Sequence, residues 1–153
     1  MSDLFEKSIR TLELPAVLEL LARHAVSDEA KARCLRLRPS TEAAAVEHLL
    51  DETDAAKVRV GLHGSPSFAG VKDVSRPLDR ADHGGVLTTR ELLDIAGVLA
   101  AARSAKEYGE SDGEEKSPID VLFHSLHPNR FLEDKITGSI VGDGELADSA
   151  SPE

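Results

Sequence analysis

Residues 88–102 read Thr-Thr-Arg-Glu-Leu-Leu-Asp-Ile-Ala-Gly-Val-Leu-Ala-Ala-Ala, and this stretch decides the fold class. Thr88 and Glu91 have the spacing of a capping box, in which each side chain accepts a hydrogen bond from the backbone N–H of the other residue. The apolar residues that follow recur every three or four positions, as on one face of a helix. That face consists of Leu92, Ala96, Leu99 and Ala102. The stretch therefore predicts a long amphipathic helix.

Helical spacing recurs on both sides of this stretch. Upstream, three helices are predicted: over residues 14–25, from a cap at Ser27 to Pro39, and from a cap at Ser40 or Thr41 to Gly61. Residues 61–70 are rich in Gly, Pro and Ser and predict a loop. Shorter helices are predicted over residues 71–81, 118–126 and 129–137.

The remaining segments predict a hairpin, a loop and the start of a further helix. In residues 139–148, Asp143-Gly144 stands between two short arms, as in a β-hairpin with a type I′ turn. Residues 107–117 are acidic and nearly free of apolar side chains, which indicates a flexible loop. Residues 151–153, Ser-Pro-Glu, have the pattern of a helix start. We expect an all-α fold, an irregular helical bundle with a small C-terminal β-hairpin, in which residues 1–153 form one domain.

The composition of the chain argues against several classes of function. The chain has 153 residues, is 41% hydrophobic and carries a net charge of −10, which disfavours the whole chain as a clamp on a phosphate backbone. It contains no Trp, one Tyr and four Phe, so few aromatic side chains are present on which single-stranded bases could stack. The N-terminus lacks the pattern of a signal peptide, no apolar run is long enough to span a membrane, and Cys34 is a lone cysteine. These features predict a cytoplasmic protein that does not contact a membrane.

Residues that could carry catalysis or bind a metal do not form a complete site. His124 and His127 are three apart, yet zinc needs two more ligands and Pro128 ends the helix, so we expect ordinary surface or helix-end histidines. Cys34 shares a helical face with Ala30 and Leu37, which predicts core packing, not a nucleophile. We therefore expect no catalytic residue and no metal site.

Two glycine pairs and the acidic loop also lack the patterns of known ligand sites. The pairs at 61 and 64 and at 142 and 144 have no Lys-Ser/Thr ending, so neither predicts a phosphate-binding loop. The acidic loop lacks the fixed offsets and closing Glu of a calcium loop, which favours a solvated charge run over chelation. The carboxylates considered for that alternative are Glu110, Asp112 and Glu114.

One short segment is locally basic. Between Arg23 and Arg38, basic side chains outnumber Asp28 and Glu29. Arg33 and Arg36 are three apart and can share a helical face. Such a face could contact DNA or RNA phosphate, or it could pair with acidic neighbours. The candidate phosphate contacts are Lys31, Arg33, Arg36 and Arg38.

Specific motifs, in order along nearly the whole chain, resemble a known family. They are Arg10-Thr-Leu-Glu-Leu14 with Leu18-Glu-Leu-Leu21, Pro39-Ser-Thr41, Gly64-Ser-Pro-Ser-Phe68 leading to Gly70, Gly84-Gly-Val-Leu87 with Glu91-Leu-Leu-Asp-Ile95, and Asp143-Gly-Glu145 with Asp148-Ser-Ala-Ser-Pro152. This series resembles the bacterial MutS-two proteins, the second paralogue of the mismatch-repair MutS ATPases. Ser67 and Ala69 depart from the Pro and Gly of the family's glycine-rich loop.

The resemblance implies that residues 1–153 are the N-terminal part of a MutS-like core or lever region, and that residues 151–153 begin the first lever helix. The family's dimerising ATPase domain, with ATP and Mg²⁺, and its Smr nuclease-type domain would lie outside this segment. The segment would then be non-catalytic and hold no cofactor of its own. Its partners would be the other domains of its own chain and, through them, branched or recombining DNA or collided ribosomes. The alternative is a stand-alone helical module that binds another protein.

Overall fold

The computed structural model describes residues 3–68, 71–110, 116–142, 144–147 and 150. Within these residues the chain forms eight helices and two short strands, and it packs as two compact units, Met1–Thr41 and Glu42–Glu153. The elements are α1 (Asp3–Thr11), α2 (Leu14–Ala22), α3 (Asp28–Leu35), α4 (Ala43–His63), α5 (Ser75–Asp82), α6 (Thr89–Gly109), α7 (Asp120–His124), α8 (Arg130–Ser139), β1 (Ile140–Gly142) and β2 (Glu145–Leu146). The predicted all-α fold with a small hairpin near its C-terminus is confirmed. The prediction of one domain stays a prediction, because a division into packing units does not count domains.

In the first unit, α2 packs against both α1 and α3. Leu18 and Ala22 of its predicted apolar stripe are buried. Glu13 connects α1 to α2 in the left-handed conformation, with φ 55°. The predicted cap at Ser27 is confirmed, since Ser27 Oγ accepts a hydrogen bond from the backbone N of Ala30 at 3.2 Å.

The second unit is built around α6, which packs against α7 and α8. Its core holds Ile95 and Ala96 of α6, Ile136 of α8 and Ile140 at the start of β1. The capping box is confirmed. The backbone N of Thr88 donates to Glu91 Oε2 at 2.9 Å, and the backbone N of Glu91 donates to Thr88 Oγ1 at 3.3 Å.

Several helix boundaries differ from the sequence-based prediction. Helix α2 ends at Ala22 instead of residue 25, α5 begins at Ser75 instead of residue 71, and α7 is shorter than predicted. The predicted cap of α4 at Ser40 or Thr41 is wrong, since Glu42 is the residue that precedes the helix and its side chain makes no capping hydrogen bond. Helix α4 also continues past Gly61, because a glycine lowers helix stability without ending a helix. Helix α3 ends at Leu35, before Pro39 is reached.

Helix α6 continues through Gly109, so the first residues of the predicted acidic loop are helical. The hydroxyl of Tyr108 donates to Gly64 O at 2.8 Å, and Arg59 donates to the carbonyls of Tyr108 and Gly109. These contacts fix the last turn of α6 despite its polar sequence.

The predicted hairpin is present as β1 and β2, which pair antiparallel with an irregular register. Ile140 pairs with Leu146 and Gly142 pairs with Glu145. Gly144 has a φ of 91°, a conformation that favours glycine. The type I′ turn also needs Asp143, which lies outside the described residues, as do Asp112, Glu114 and residues 151–153 of the predicted helix start.

Candidate functional site

The basic stretch lies on α3 and the residues directly after it. Lys31, Arg33, Arg36 and Arg38 are all exposed. Lys31 Nζ binds Asp28 Oδ1 at 3.1 Å, and Arg36 Nη2 binds Glu29 Oε1 at 2.7 Å. Arg38 Nη1 donates to the carbonyl of Leu37 at 2.9 Å.

Two of these four cations therefore pair with acidic residues in the first turn of the same helix. Both pairs are exposed, and exposed ion pairs contribute little to stability, so a phosphate group could replace the carboxylates at low cost. Arg33 forms no ion pair with a described residue. The arrangement is compatible with both readings of the sequence, a phosphate contact and local pairing.

The other candidates from the sequence do not come together into a site. His124 ends α7, and His127 follows outside the helix; both are exposed. Cys34 is half-buried, and Leu37, its predicted neighbour in the core, is exposed beyond the end of α3. Among the described residues, no group of three or more His, Cys, Asp or Glu side chains is placed to bind a metal ion.

The most elaborate polar cluster of the described structure centres on Arg59 of α4, which is only 3% exposed. Its Nη1 donates to the carbonyls of Gly109 at 2.7 Å and Tyr108 at 3.2 Å, and its Nη2 binds Asp120 Oδ1 at 3.0 Å. The guanidinium carbon lies 5.2 Å from the centre of the Phe123 ring, within cation–π range. The partners of Arg59 thus come from the last turn of α6 and from α7.

Each interaction of Arg59 has a clear physical cause. The last carbonyls of α6 have no partner within the helix and carry the negative end of its dipole, which favours a cation there. Asp120 supplies the opposite charge, and its other oxygen accepts a hydrogen bond from the backbone N of Ser117 at 2.7 Å. A buried guanidinium needs such partners because its desolvation is costly.

Two grooves border Arg59. The first, named here the Phe123 groove, has a volume of about 380 Å³ and an almost wholly apolar lining: Ala56, Arg59, Val60, Pro66, Phe68, Ala105, Tyr108, Ile119, Leu122, Phe123 and Leu126. The second, the Pro118 groove, has a volume of about 350 Å³ and is lined by Ala55, Val58, Arg59, Leu62, Lys116, Ser117 and Pro118. The buried arginine lines both grooves.

Sequence reasoning missed Arg59 because a charged residue in a helix is expected in water. One signal could have found it. Ala55 and Ala56 lie one helical turn earlier, and their small side chains leave room for a long side chain to pack inward. None of the helices that the structure describes is long and apolar enough to cross a bilayer.

Comparison with known proteins connects this architecture to a family. The chain is 39% identical over 97% of its length to a protein named Endonuclease MutS2 from Agathobacter rectalis. The chain is a homologue of Endonuclease MutS2. Proteins of that name from Ruminiclostridium cellulolyticum and Bacillus cytotoxicus match over 96% and 97% of the chain, at 38% and 33% identity. The resemblance to the MutS-two family is thus confirmed.

The match to the MutS2 proteins covers nearly all of this chain and a small part of each relative. The chain spans about a fifth of the length of these MutS2 relatives, 19% in each case. No protein-family model matches the chain. The similarity therefore concerns one helical segment, and the activity in the relatives' name belongs to proteins about five times as long.

Proposed function

We propose that residues 1–153 act as a non-catalytic helical core segment of a MutS2-type protein. The observation that carries this proposal is the match of nearly the whole chain to about a fifth of proteins named Endonuclease MutS2. A segment built of helices with one short hairpin suits a part that transmits motion between the ATPase dimer and the region that holds the target. In this proposal the segment forms the N-terminal part of the MutS-like core.

ATP and Mg²⁺ bind elsewhere in the longer protein under this proposal, and so does the nuclease activity. The glycine pair that comes nearest to a phosphate loop does not fit a nucleotide. Gly61 lies within α4, and Gly64 is followed by Ser65 and Pro66 where a phosphate loop has Lys and Ser or Thr. We derive no nucleotide chemistry from the residues of this segment.

Under this proposal, the target of the whole protein is branched or recombining DNA, a collided ribosome, or both. The whole protein dimerises through its ATPase domain and works in the cytoplasm. Within the segment, Lys31, Arg33, Arg36 and Arg38 supply a contact to the phosphate of that target. The exposure of all four side chains supports this assignment. The net charge of −10 limits the contact to α3 and its C-terminal end.

Two measurements test the main proposal. An antibody raised against residues 1–153 should detect, in extracts of the native organism, a protein about five times the 16.4 kDa of this chain. The purified 153-residue chain should show no turnover of ATP and no cleavage of branched DNA, whereas the long protein hydrolyses ATP. Turnover of ATP by the pure chain would contradict the non-catalytic assignment.

A second candidate function is a stand-alone module that binds another protein. The Phe123 groove favours it, because exposed apolar grooves of this kind often receive a partner's side chains. The same immunoblot separates the two candidates. A band at 16.4 kDa alone would favour the module, and a long protein alone would favour the core segment.

A further inference from the structure

Helix α4 is joined to the other elements of the second unit through few buried side chains. Among its 21 residues, all within the described part of the chain, Arg59 is the one that is buried. Leu49, Leu50, Val58 and Leu62 are all more than half exposed. The attachment is therefore made chiefly by a charged side chain in the C-terminal half of the helix, between two open grooves.

Neighbouring contacts add to this attachment at the same end of α4. The hydroxyl of Tyr108 donates to the carbonyl of Gly64, directly after the helix, and the rings of Tyr108 and His63 lie edge to face at 6.4 Å. These contacts are polar or peripheral. None of the residues of α4 belongs to the apolar core cluster of the described structure.

The contact between α6 and α8 is stabilised in a different way from the contacts of α4. That contact buries Ile95, Ala96 and Ile136, whose removal from water stabilises directly in proportion to the apolar area buried. Around Arg59, the cost of desolvating a cation offsets much of the attraction to Asp120 and to the helix carbonyls. Contacts with little apolar burial open more readily than the core, as separate cooperative units.

We infer that α4 is a releasable arm of the second unit and that Arg59 is its latch. With Arg59 bound to Asp120 and to the carbonyls of Tyr108 and Gly109, α4 lies against α6 and α7. When these bonds open, α4 separates while the core of α6 and α8 stays folded. The opening also removes the α4 side of both grooves and exposes the apolar side chains on the other side of the Phe123 groove, among them Ala105, Ile119 and Phe123.

Hydrogen exchange read by mass spectrometry on the intact protein tests this device. In the unaltered protein, backbone amides within residues 47–62 should show protection factors at least about tenfold lower than those within residues 93–103 and 134–138. Equal protection in the three segments would overturn the inference, because α4 would then open only with the core.

Substitutions test the latch itself. Arg59→Met keeps the length of the side chain and removes its charge and donors, and it should lower protection in α4 by a further factor of about ten. Arg59→Lys should have an intermediate effect, since an ammonium cannot reproduce the two-pronged geometry. Arg130→Met is the matched control, because Arg130 is exposed and pairs with Asp134 on its own helix; it should leave α4 unchanged.

Each exchange result either supports or contradicts the role of Arg59 as a latch. Loss of protection confined to α4 and to the segments around Tyr108 and Asp120 supports the latch. An unchanged α4 in Arg59→Met overturns it, and so does an equal loss across α6 and α8. Asp120→Asn provides a milder second variant, which should lower protection in α4 and around Asp120 while the core of α6 and α8 keeps its protection.

Discussion

Arg103 of α6 and Glu133 of α8 form a two-pronged ion pair. The Nε of Arg103 donates to Glu133 Oε2 at 3.1 Å, and its Nη2 donates to Oε1 at 2.8 Å. Glu133 is nearly buried, with 11% of its side chain exposed, and the hydrogen bonds from Arg103 lower its pKa. The pair joins two helices whose apolar faces form the core, so it fixes their rotation relative to one another.

Glu133→Gln is expected to lower the urea midpoint of unfolding, because it removes the nearest opposite charge of Arg103 and leaves only the exposed Glu107, at 3.5 Å, to pair with it. Asp134→Asn, on the adjacent and exposed position of α8, should leave the midpoint within error. Circular dichroism at 222 nm measures both. Equal midpoints for the two variants would show that the pair contributes nothing beyond an ordinary surface contact.

The stability of the protein is expected to fall in acid as Glu91 is protonated. Hydrogen bonds from Arg80 and then from the backbone of Thr88 lower the pKa of Glu91 to about 2, from 4.5. A carboxyl group whose pKa is lower when folded stabilises fully above its unfolded value and loses that contribution as pH falls from about 4.5 to about 2. Urea midpoints measured across this range should therefore decrease.

Glu91→Gln isolates this contribution. The amide oxygen can still accept a hydrogen bond at the helix start, yet the group no longer titrates. The decrease in midpoint between pH 4.5 and pH 2 should be smaller in the variant than in the unaltered protein. Parallel curves for the two proteins would refute the role of Glu91.

Gly109→Ala is expected to destabilise the second unit by about 1–3 kcal/mol through overpacking. A Cβ at this position would lie 2.3 Å from both Cβ and Cγ of Phe123, so either the ring or the end of α6 must move. Gly61→Ala is the matched control, since its Cβ would meet no atom within 4 Å and alanine favours a helix by about 0.5–1 kcal/mol. Free energies of unfolding from urea titration should move in opposite directions for the two variants.

Arg33→Glu combined with Arg36→Glu is expected to weaken binding of the whole protein to DNA or to ribosomes. Loss of two phosphate contacts should reduce the slope of log affinity against log salt by about 2. Arg130→Glu with Lys135→Glu changes the net charge by the same amount on exposed positions of α8 and is the control. Equal affinities of the two double variants would remove α3 from the interface.

The helical pattern was predictable where apolar spacing and caps coincide. Thr88 with Glu91 and Ser27 with Ala30 are local interactions, and the structure contains both. Helix α1 was not predicted, although Leu4, Phe5 and Ile9 of Asp3–Thr11 are spaced as on one helical face. Its partner is α2, and a contact between helices cannot be inferred from either helix alone.

The contacts of Arg59 could not be predicted from the local sequence for the same reason. Its partners, Tyr108, Gly109 and Asp120, are 49 to 61 residues away along the chain. The end of α6 also depended on this contact, since residues 107–109 have the composition of a loop. Lys31 and Arg36 pair with Asp28 and Glu29, which agrees with the alternative of local pairing, and the phosphate contact stays a prediction.

The left-handed backbone of Glu13 reverses the usual order of preference for substitutions at that position. Most residues other than glycine pay about 1–2 kcal/mol for this conformation, and β-branched side chains pay more. Glycine or asparagine should therefore be tolerated or even stabilising there, whereas valine or isoleucine should disrupt the connection between α1 and α2. Variation at residue 13 among related chains is thus expected to follow backbone freedom, with charge of secondary importance.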